Sequence, residues 1–224
     1  MQMIAEVYGM MRDGAGLAAS DIAPVFRSWK RGPLASYLIE VTGEVLETKD
    51  PQTGEDIVDL IVDQAGQKGT GRWTVIEAVR MGQAVSILEA AVGARVMSAQ
   101  KSTRLHASRA LVPAGTDMMI PVTEHDLQSA LIVGRILAYA QGFEILAAGS
   151  KEFNWSLDFA RIAEIWRAGC IIRSAMLDDI ATAFSSPLPA GNLALSDHFI
   201  SLLTVHIAGL RRVVSAAALK GLPT

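Results

Sequence analysis

Between Ala65 and Trp73 the sequence reads AGQKGTGRW, a run of three glycines with a lysine, a threonine and an arginine. Residue types of this kind suit an anion. Glycines let backbone N–H groups come close to a charged oxygen. Lys68 adds an ammonium and Thr70 a hydroxyl. The loop leads into a helical pattern expected to start near Thr74, and the first turn of a helix favours negative charge. The other reading is a glycine-rich turn with solvated Lys68 and Arg72. The spacing from Gly66 to Gly71 matches a P-loop, but Arg72 and Trp73 stand where a lysine and a serine or threonine are needed. No glycine follows Gly69-Thr70-Gly71 at the dinucleotide spacing.

A second basic residue lies nearby in the pattern. Arg95, in VGARVMS, interrupts an apolar stretch, and a charge there is rarely unpaired. If Gly82 folds the chain back, the arms from Thr74 to Gly82 and from Gly82 to Arg95 run about 12 and 20 Å. Arg95 then returns near the glycine loop. The alternative is a core arginine satisfied by the carbonyls of a neighbouring helix.

The remaining reactive side chains show no catalytic grouping. Glu77, Glu89 and Glu144 read as helix-surface or packing carboxylates. His106, His125, His198 and His206 are scattered, and no cysteine and histidine cluster has zinc spacing. Cys170 reads as a buried small hydrophobe. Trp155 and Trp166 read as core or interface.

The elements that must position these residues are helical. MQMIAEVYGMMRDG carries Met3, Ile4, Val7, Met10 and Met11 at helical spacing, with Gly14 as a stop. A second helix is expected from a Ser20 cap to Gly32, and a third through Leu34, Tyr37, Leu38 and Val41. Ile57, Leu60 and Ile61 fit a short helix. Thr74 to about Gln100 is helical with a break at Gly82. Ser108 to Pro121 reads as a surface loop. Thr123 caps a long helix, Ser156 caps another running towards Phe184, and a last one runs from Ser196 to about Lys220. With no hairpin signal and no convincing strand, the fold class expected is all-α: one domain, residues 1–224, of antiparallel helices.

Composition narrows the partners. A net charge of −3 leaves no basic excess for sequence-independent nucleic-acid binding. One cysteine excludes an intramolecular disulfide and suits a reducing compartment. The N-terminus lacks a basic leader, so the expectation is cytoplasmic. Half the residues are hydrophobic, yet the uncharged run Phe199 to Leu210 is too short to span a bilayer. The segment from Leu127 to Gly149 contains Arg135 and Glu144 and reads as a buried helix. An apolar excess without membrane spans points to a large subunit interface.

Six stretches carry a resemblance. In chain order they are MQMIAEVYGMM, VFRSWKRGPLASYLIEVTGEVL, AGQKGTGRWTVIEA, EAAVGARVMSAQK, ILAYAQGFEIL and EFNWSLDFARIAEIWRAGCIIRS. Together they look like the helical domain of 6-phosphogluconate dehydrogenase. The resemblance covers essentially the whole chain and is most specific in Glu152 to Ser174.

It implies oxidative decarboxylation of 6-phosphogluconate to ribulose 5-phosphate and carbon dioxide in the pentose phosphate pathway. The cofactor it implies is NADP, and the assembly a homodimer built by the helical domain. It also implies that Lys68, Thr70 and Arg95 bind the substrate phosphate. In such enzymes a dinucleotide-binding domain, followed by a catalytic lysine, asparagine and glutamate, precedes the residues that match Met1 onward. A tail with an arginine and a histidine follows the residues that match Leu222 to Thr224. The expectation is therefore a helical substrate-binding and dimerisation domain that keeps the phosphate ligands and is inactive alone. The competing expectation is a non-enzymatic helical dimerisation module or remnant.

Overall fold

The computed structural model describes residues 1–111 and 122–224. Among them the chain is helical with no β-strand, as expected. Helix α1 (Gln2–Gly9) runs on through a π-turn, Met10–Gly14, and is followed by α2 (Ala19–Ser28) and α3 (Tyr37–Glu47). A single turn, α4 (Ile57–Leu60), leads to α5 (Thr70–Arg80), α6 (Ser86–Ala99) and α7 (Lys101–Ala110). The long helix α8 (Glu124–Glu152) is followed by α9 (Phe159–Trp166), α10 (Met176–Phe184) and α11 (Asp197–Lys220).

The core forms around α8. Its Leu131, Ile132 and Ile136 are buried with Ile22, Phe26, Leu177, Ile180 and Phe199 from α2, α10 and α11. Phe143 anchors an aromatic group, 4.7 Å from the ring of Phe184 and 5.5 Å from that of Trp166. Small residues let helices close up. A Cβ at Gly209 of α11 would lie 2.6 Å from the Cβ of Ser129 on α8, so only glycine fits there. Arg135, half-buried in α8, donates to the carbonyl of Leu34 at 2.9 Å. Burial pulls its pKa below the ordinary value, and Tyr139 opposes the shift.

Both ends of the long helices follow the sequence. Thr123 and Asp126 form a reciprocal capping box on α8 (Asp126 N to Thr123 Oγ1 3.2 Å, Thr123 N to Asp126 Oδ2 3.0 Å). Ser196 caps α11, and Gly221 ends it at φ +67°. Two expectations fail in an instructive way. Ser156 does not cap α9: it sits at φ +51°, outside the extended region an N-cap needs, and Asp158 caps instead, accepting from Arg161 N at 2.9 Å. The helix expected to run on to Phe184 is two helices. The segment between them leaves to pair with the α2–α3 connection, through Tyr37 N to Arg173 O (3.2 Å) and Ala175 N to Ala35 O (2.9 Å).

Smaller boundaries also move. Helix α2 begins at Ala19, with Ala18 rather than Ser20 at its N-cap, and ends at Ser28 before a turn through Gly32. Of the loop expected over Ser108 to Pro121, Ser108–Ala110 belong to α7, and residues 112–121 lie outside the described residues. Trp155 does not share a helix with Trp166; it is exposed and stacks on Phe153 at 4.8 Å. Cys170 is half-buried, its thiol 3.2 Å from the carbonyl of Trp166.

Helices α8 and α11 are both long and apolar enough to cross a membrane by length and composition. Helix α11 outruns the uncharged stretch Phe199 to Leu210 because Arg211, Arg212 and Lys220 continue it. The two pack along each other, and α11 leaves Ile200, Val205 and Val214 exposed.

Residues 57–111 form a lobe of a different character. No residue of α4, α6 or α7 is buried, and Ala78 alone is in α5. At its inner end the lobe is held to the body by Gln141 of α8. The Gln141 side chain accepts from Ile87 N (3.1 Å) and donates to Ser86 Oγ (3.1 Å) at the start of α6.

Candidate functional site

The glycine loop crosses the outer end of this lobe. Its helix starts at Thr70, four residues before the expected Thr74, because Gly69 adopts φ +99° and takes the N-cap position. That conformation favours glycine, and a Cβ there would meet the ring of Trp73 at 3.2 Å. At Gly71 a Cβ would lie 3.0 Å from Val92, so this glycine lets α5 sit close against α6. The first intrahelical bond is Trp73 N to Gly69 O (2.9 Å). The N–H groups of Thr70, Gly71 and Arg72 have no partner among the described residues and point out of the helix start.

The hairpin expected at Gly82 forms. Gly82 is at φ +66°, and α5 and α6 pack side by side. At the helical rise, Thr70 to Arg80 covers about 15 Å and Ser86 to Arg95 about 14 Å. The matched lengths return Arg95 to the level of the loop. Its Nε donates to the carbonyl of Gly66 at 2.9 Å. Arg95 is exposed rather than core, which departs from the apolar reading of its neighbours: α6 lacks a buried face. The carbonyl that accepts from Arg95 belongs to the glycine loop itself. No carboxylate among the described residues pairs with Arg95, and its two Nη groups are unpartnered there. Lys68 and Thr70 are exposed, and neither the ammonium nor the Thr70 hydroxyl has a partner among those residues.

The loop approaches α6 by a ladder of polar contacts. Gln64 Nε2 donates to Ala99 O (3.0 Å) and Ala65 N to Ser98 Oγ (2.9 Å). Gly66 O accepts from Arg95, and Gln67 Nε2 reaches Val92 O at 3.5 Å. Successive loop residues thus climb α6 from its C-terminus. Sequence reasoning missed this ladder, together with Arg104, which grips Asp63 at its foot.

The other reactive groups lie apart from this arrangement. Glu144 accepts from Asn192 Nδ2 at 2.5 Å, and Glu77 faces Arg80 at 3.5 Å, both in the packing or surface roles expected. His198 lies 3.6 Å from Asp179. His206 of α11 shares a hydrogen bond with Ser129 Oγ at 2.9 Å, with the ring of His125 6.1 Å away. No group of three or more metal-ligating side chains forms among the described residues.

Comparison with known proteins shows the family of the chain. The family model described as 6-phosphogluconate dehydrogenase, C-terminal domain, matches residues 1–224. A Bacillus subtilis (strain 168) protein named 6-phosphogluconate dehydrogenase, NADP(+)-dependent, decarboxylating is 40% identical over 229 residues, which is all of this chain and 48% of that protein. A Schizosaccharomyces pombe 6-phosphogluconate dehydrogenase, decarboxylating, is 42% identical over all of this chain and 46% of its own length. The chain thus spans about half the length of the curated relatives it matches. Among solved structures, Plasmodium falciparum 6-phosphogluconate dehydrogenase superposes with a TM-score of 0.92 at 36% identity, over all of this chain and 49% of that one. That enzyme is described in apo form, with its cofactor NADP+ and with its substrate 6-phosphogluconate.

Proposed function

The chain belongs to the 6-phosphogluconate dehydrogenase family, as its C-terminal domain, and we propose that its glycine loop and α6 bind the phosphate of 6-phosphogluconate. The observation that carries this reading is Arg95 seated on the carbonyl of Gly66 with its Nη groups unpartnered among the described residues. A phosphate carries about −1.5 to −2 charge near neutral pH. Lys68 offers a point charge and Arg95 two N–H donors in a fork that suits phosphate oxygens. Thr70 offers a hydroxyl, and the start of α5 offers free N–H groups at its positive end.

The activity we propose for the protein to which this domain contributes is NADP-dependent oxidative decarboxylation. In that reaction the C3 hydroxyl would give its proton to a base and C3 its hydride to the oxidised cofactor, and the resulting β-keto acid would lose carbon dioxide to give ribulose 5-phosphate. A base for the hydroxyl proton and an acid for the enol are required. The resemblance assigns them to the segment that precedes the residues matching Met1 onward. The glycine loop does not suit the nucleotide: it opens a helix without a preceding strand and lacks the dinucleotide spacing. The residues of this chain are therefore given the substrate phosphate. This reading explains the free donors at the loop, which a dimerisation module or remnant leaves without a role.

A cytoplasmic location and self-association belong to the same proposal. Exposed Ile200, Val205 and Val214 on α11, with Trp73, Ile76, Val79 and Met97 on the lobe, supply apolar surface for a second copy. Competition tests the phosphate site: inorganic phosphate should displace 6-phosphogluconate from the chain, whereas chloride at equal ionic strength should not. Equal displacement by both would reject a dedicated phosphate site.

A further inference from the structure

We propose that Arg104 is a positioning residue for the phosphate site, holding the glycine loop in register against Arg95 through Asp63. The inference rests on the phosphate reading above and assigns a role to two residues outside the loop. Arg104 stands in the first turn of α7. Its Nη1 donates to Asp63 Oδ2 (3.0 Å), and its Nη2 to Asp63 Oδ1 (3.2 Å) and to the Asp63 carbonyl (2.9 Å). The same guanidinium reaches back to the carbonyls of Met97 (3.1 Å, from Nε) and Ser98 (3.1 Å, from Nη2). Those carbonyls belong to the last turn of α6, where Met97 O also accepts from Gln100 N at 3.0 Å. One side chain therefore joins the end of α6 to the foot of the loop.

The geometry makes this join decisive for the site. From Asp63 the ladder runs Gln64 to Ala99, Ala65 to Ser98, Gly66 to Arg95 and Gln67 to Val92. Lys68 and Thr70 follow at once. The lobe has almost no buried apolar residue to fix how the loop sits on α6. Polar contacts must set the register. A slip of one residue in extended chain is about 3.3 Å, far more than a binding constellation tolerates, about 0.5 Å. An exposed Arg–Asp pair alone contributes little. Here the same guanidinium also gathers three backbone carbonyls, a fork that a lysine cannot reproduce. The hydrogen bonds from Arg104 also hold the Asp63 carboxyl below its ordinary pKa.

The test is a titration of the chain with 6-phosphogluconate, followed by amide NMR, in Arg95→Met, Arg104→Ala, Asp63→Asn and the double variant Arg95→Met with Arg104→Ala. Arg95→Met should weaken binding roughly ten- to a hundredfold, the effect of losing charge-assisted hydrogen bonds. Arg104→Ala should weaken it about tenfold, and in the double variant it should add little, because both act on one contact. If Arg95→Met leaves binding unchanged, the phosphate reading itself fails. If Arg95→Met weakens binding while Arg104→Ala does not, or if the two losses simply add, the positioning role is overturned and the phosphate site stands. Should Arg104→Ala lose its folded spectrum, Asp63→Asn decides. It keeps the shape and removes the charge, and binding at the unaltered strength would overturn the proposal.

Discussion

Arg95 Nε lies 2.9 Å from the carbonyl oxygen of Gly66, a residue 29 positions earlier in the chain. The bond uses the one guanidinium nitrogen that faces the loop and leaves the forked end free for a ligand. It ties the glycine loop to α6.

This relationship predicts an asymmetry between substitutions. Arg95→Lys retains the charge and loses both the Nε bond and the fork, so it should weaken 6-phosphogluconate binding nearly as much as Arg95→Met, by about 1.5–3 kcal/mol. Lys68→Ala should fall in the same range. Isothermal titration checks both, and circular dichroism should show unchanged helix content, because both side chains are exposed.

The isolated chain should show no turnover with 6-phosphogluconate and NADP. Among the described residues, no histidine or carboxylate forms a hydrogen bond or ion pair with Lys68, Thr70 or Arg95. Absorbance of reduced cofactor above that of a heat-killed control would contradict the division of labour proposed here.

Sedimentation at micromolar concentration should give about twice the 23.9 kDa chain mass. Val205→Glu, on the exposed face of α11, should shift the chain towards monomer. A folded monomer before substitution would remove α11 as an interface.

The α8–α11 contact should carry a pH dependence of stability. Burial lowers the His206 pKa, and the neighbouring His125 lowers it further. The unfolded chain then binds the proton more tightly, so His206 contributes fully above about pH 6.5 and progressively less as pH falls below it. Asp126 has the carboxylate sign. Hydrogen bonds from Arg212 and Thr123 hold it at about 2, so its contribution is present above about pH 4 and lost as pH falls towards 2. Urea unfolding at a series of pH values checks this, and His206→Gln should flatten the profile between about pH 7 and 5. Asp126→Ala should cost about 1–3 kcal/mol at neutral pH through the lost cap and the lost partner of Arg212.

What the sequence makes legible follows from how far each signal reaches. Thr123 stands directly before an apolar periodic run and caps as expected, and the last helix starts beside Ser196 as expected. The return of Arg95 to the loop rests on helix length and a glycine break, and both survive folding. The start of α5 at Thr70 was hidden because Gly69 caps it in a left-handed conformation within a run of glycines that reads as loop. The ladder from Asp63 to Gln67 is made of polar contacts between distant segments, which leave no period to find. Arg104 sits in an exposed helix and is indistinguishable there from a solvated surface residue. The break between α9 and α10 comes from backbone pairing with Ala35 and Tyr37, which no local pattern announces.

The most direct measurement is an amide NMR titration of this chain with 6-phosphogluconate beside gluconate. The account predicts that 6-phosphogluconate shifts the amides of Lys68 to Arg72 and the side-chain signal of Arg95, saturating at about millimolar concentration. Gluconate, which lacks the phosphate, should leave them in place. Equal shifts with both ligands, or shifts confined to residues away from the loop and α6, would contradict the assignment of the phosphate to Lys68, Thr70 and Arg95.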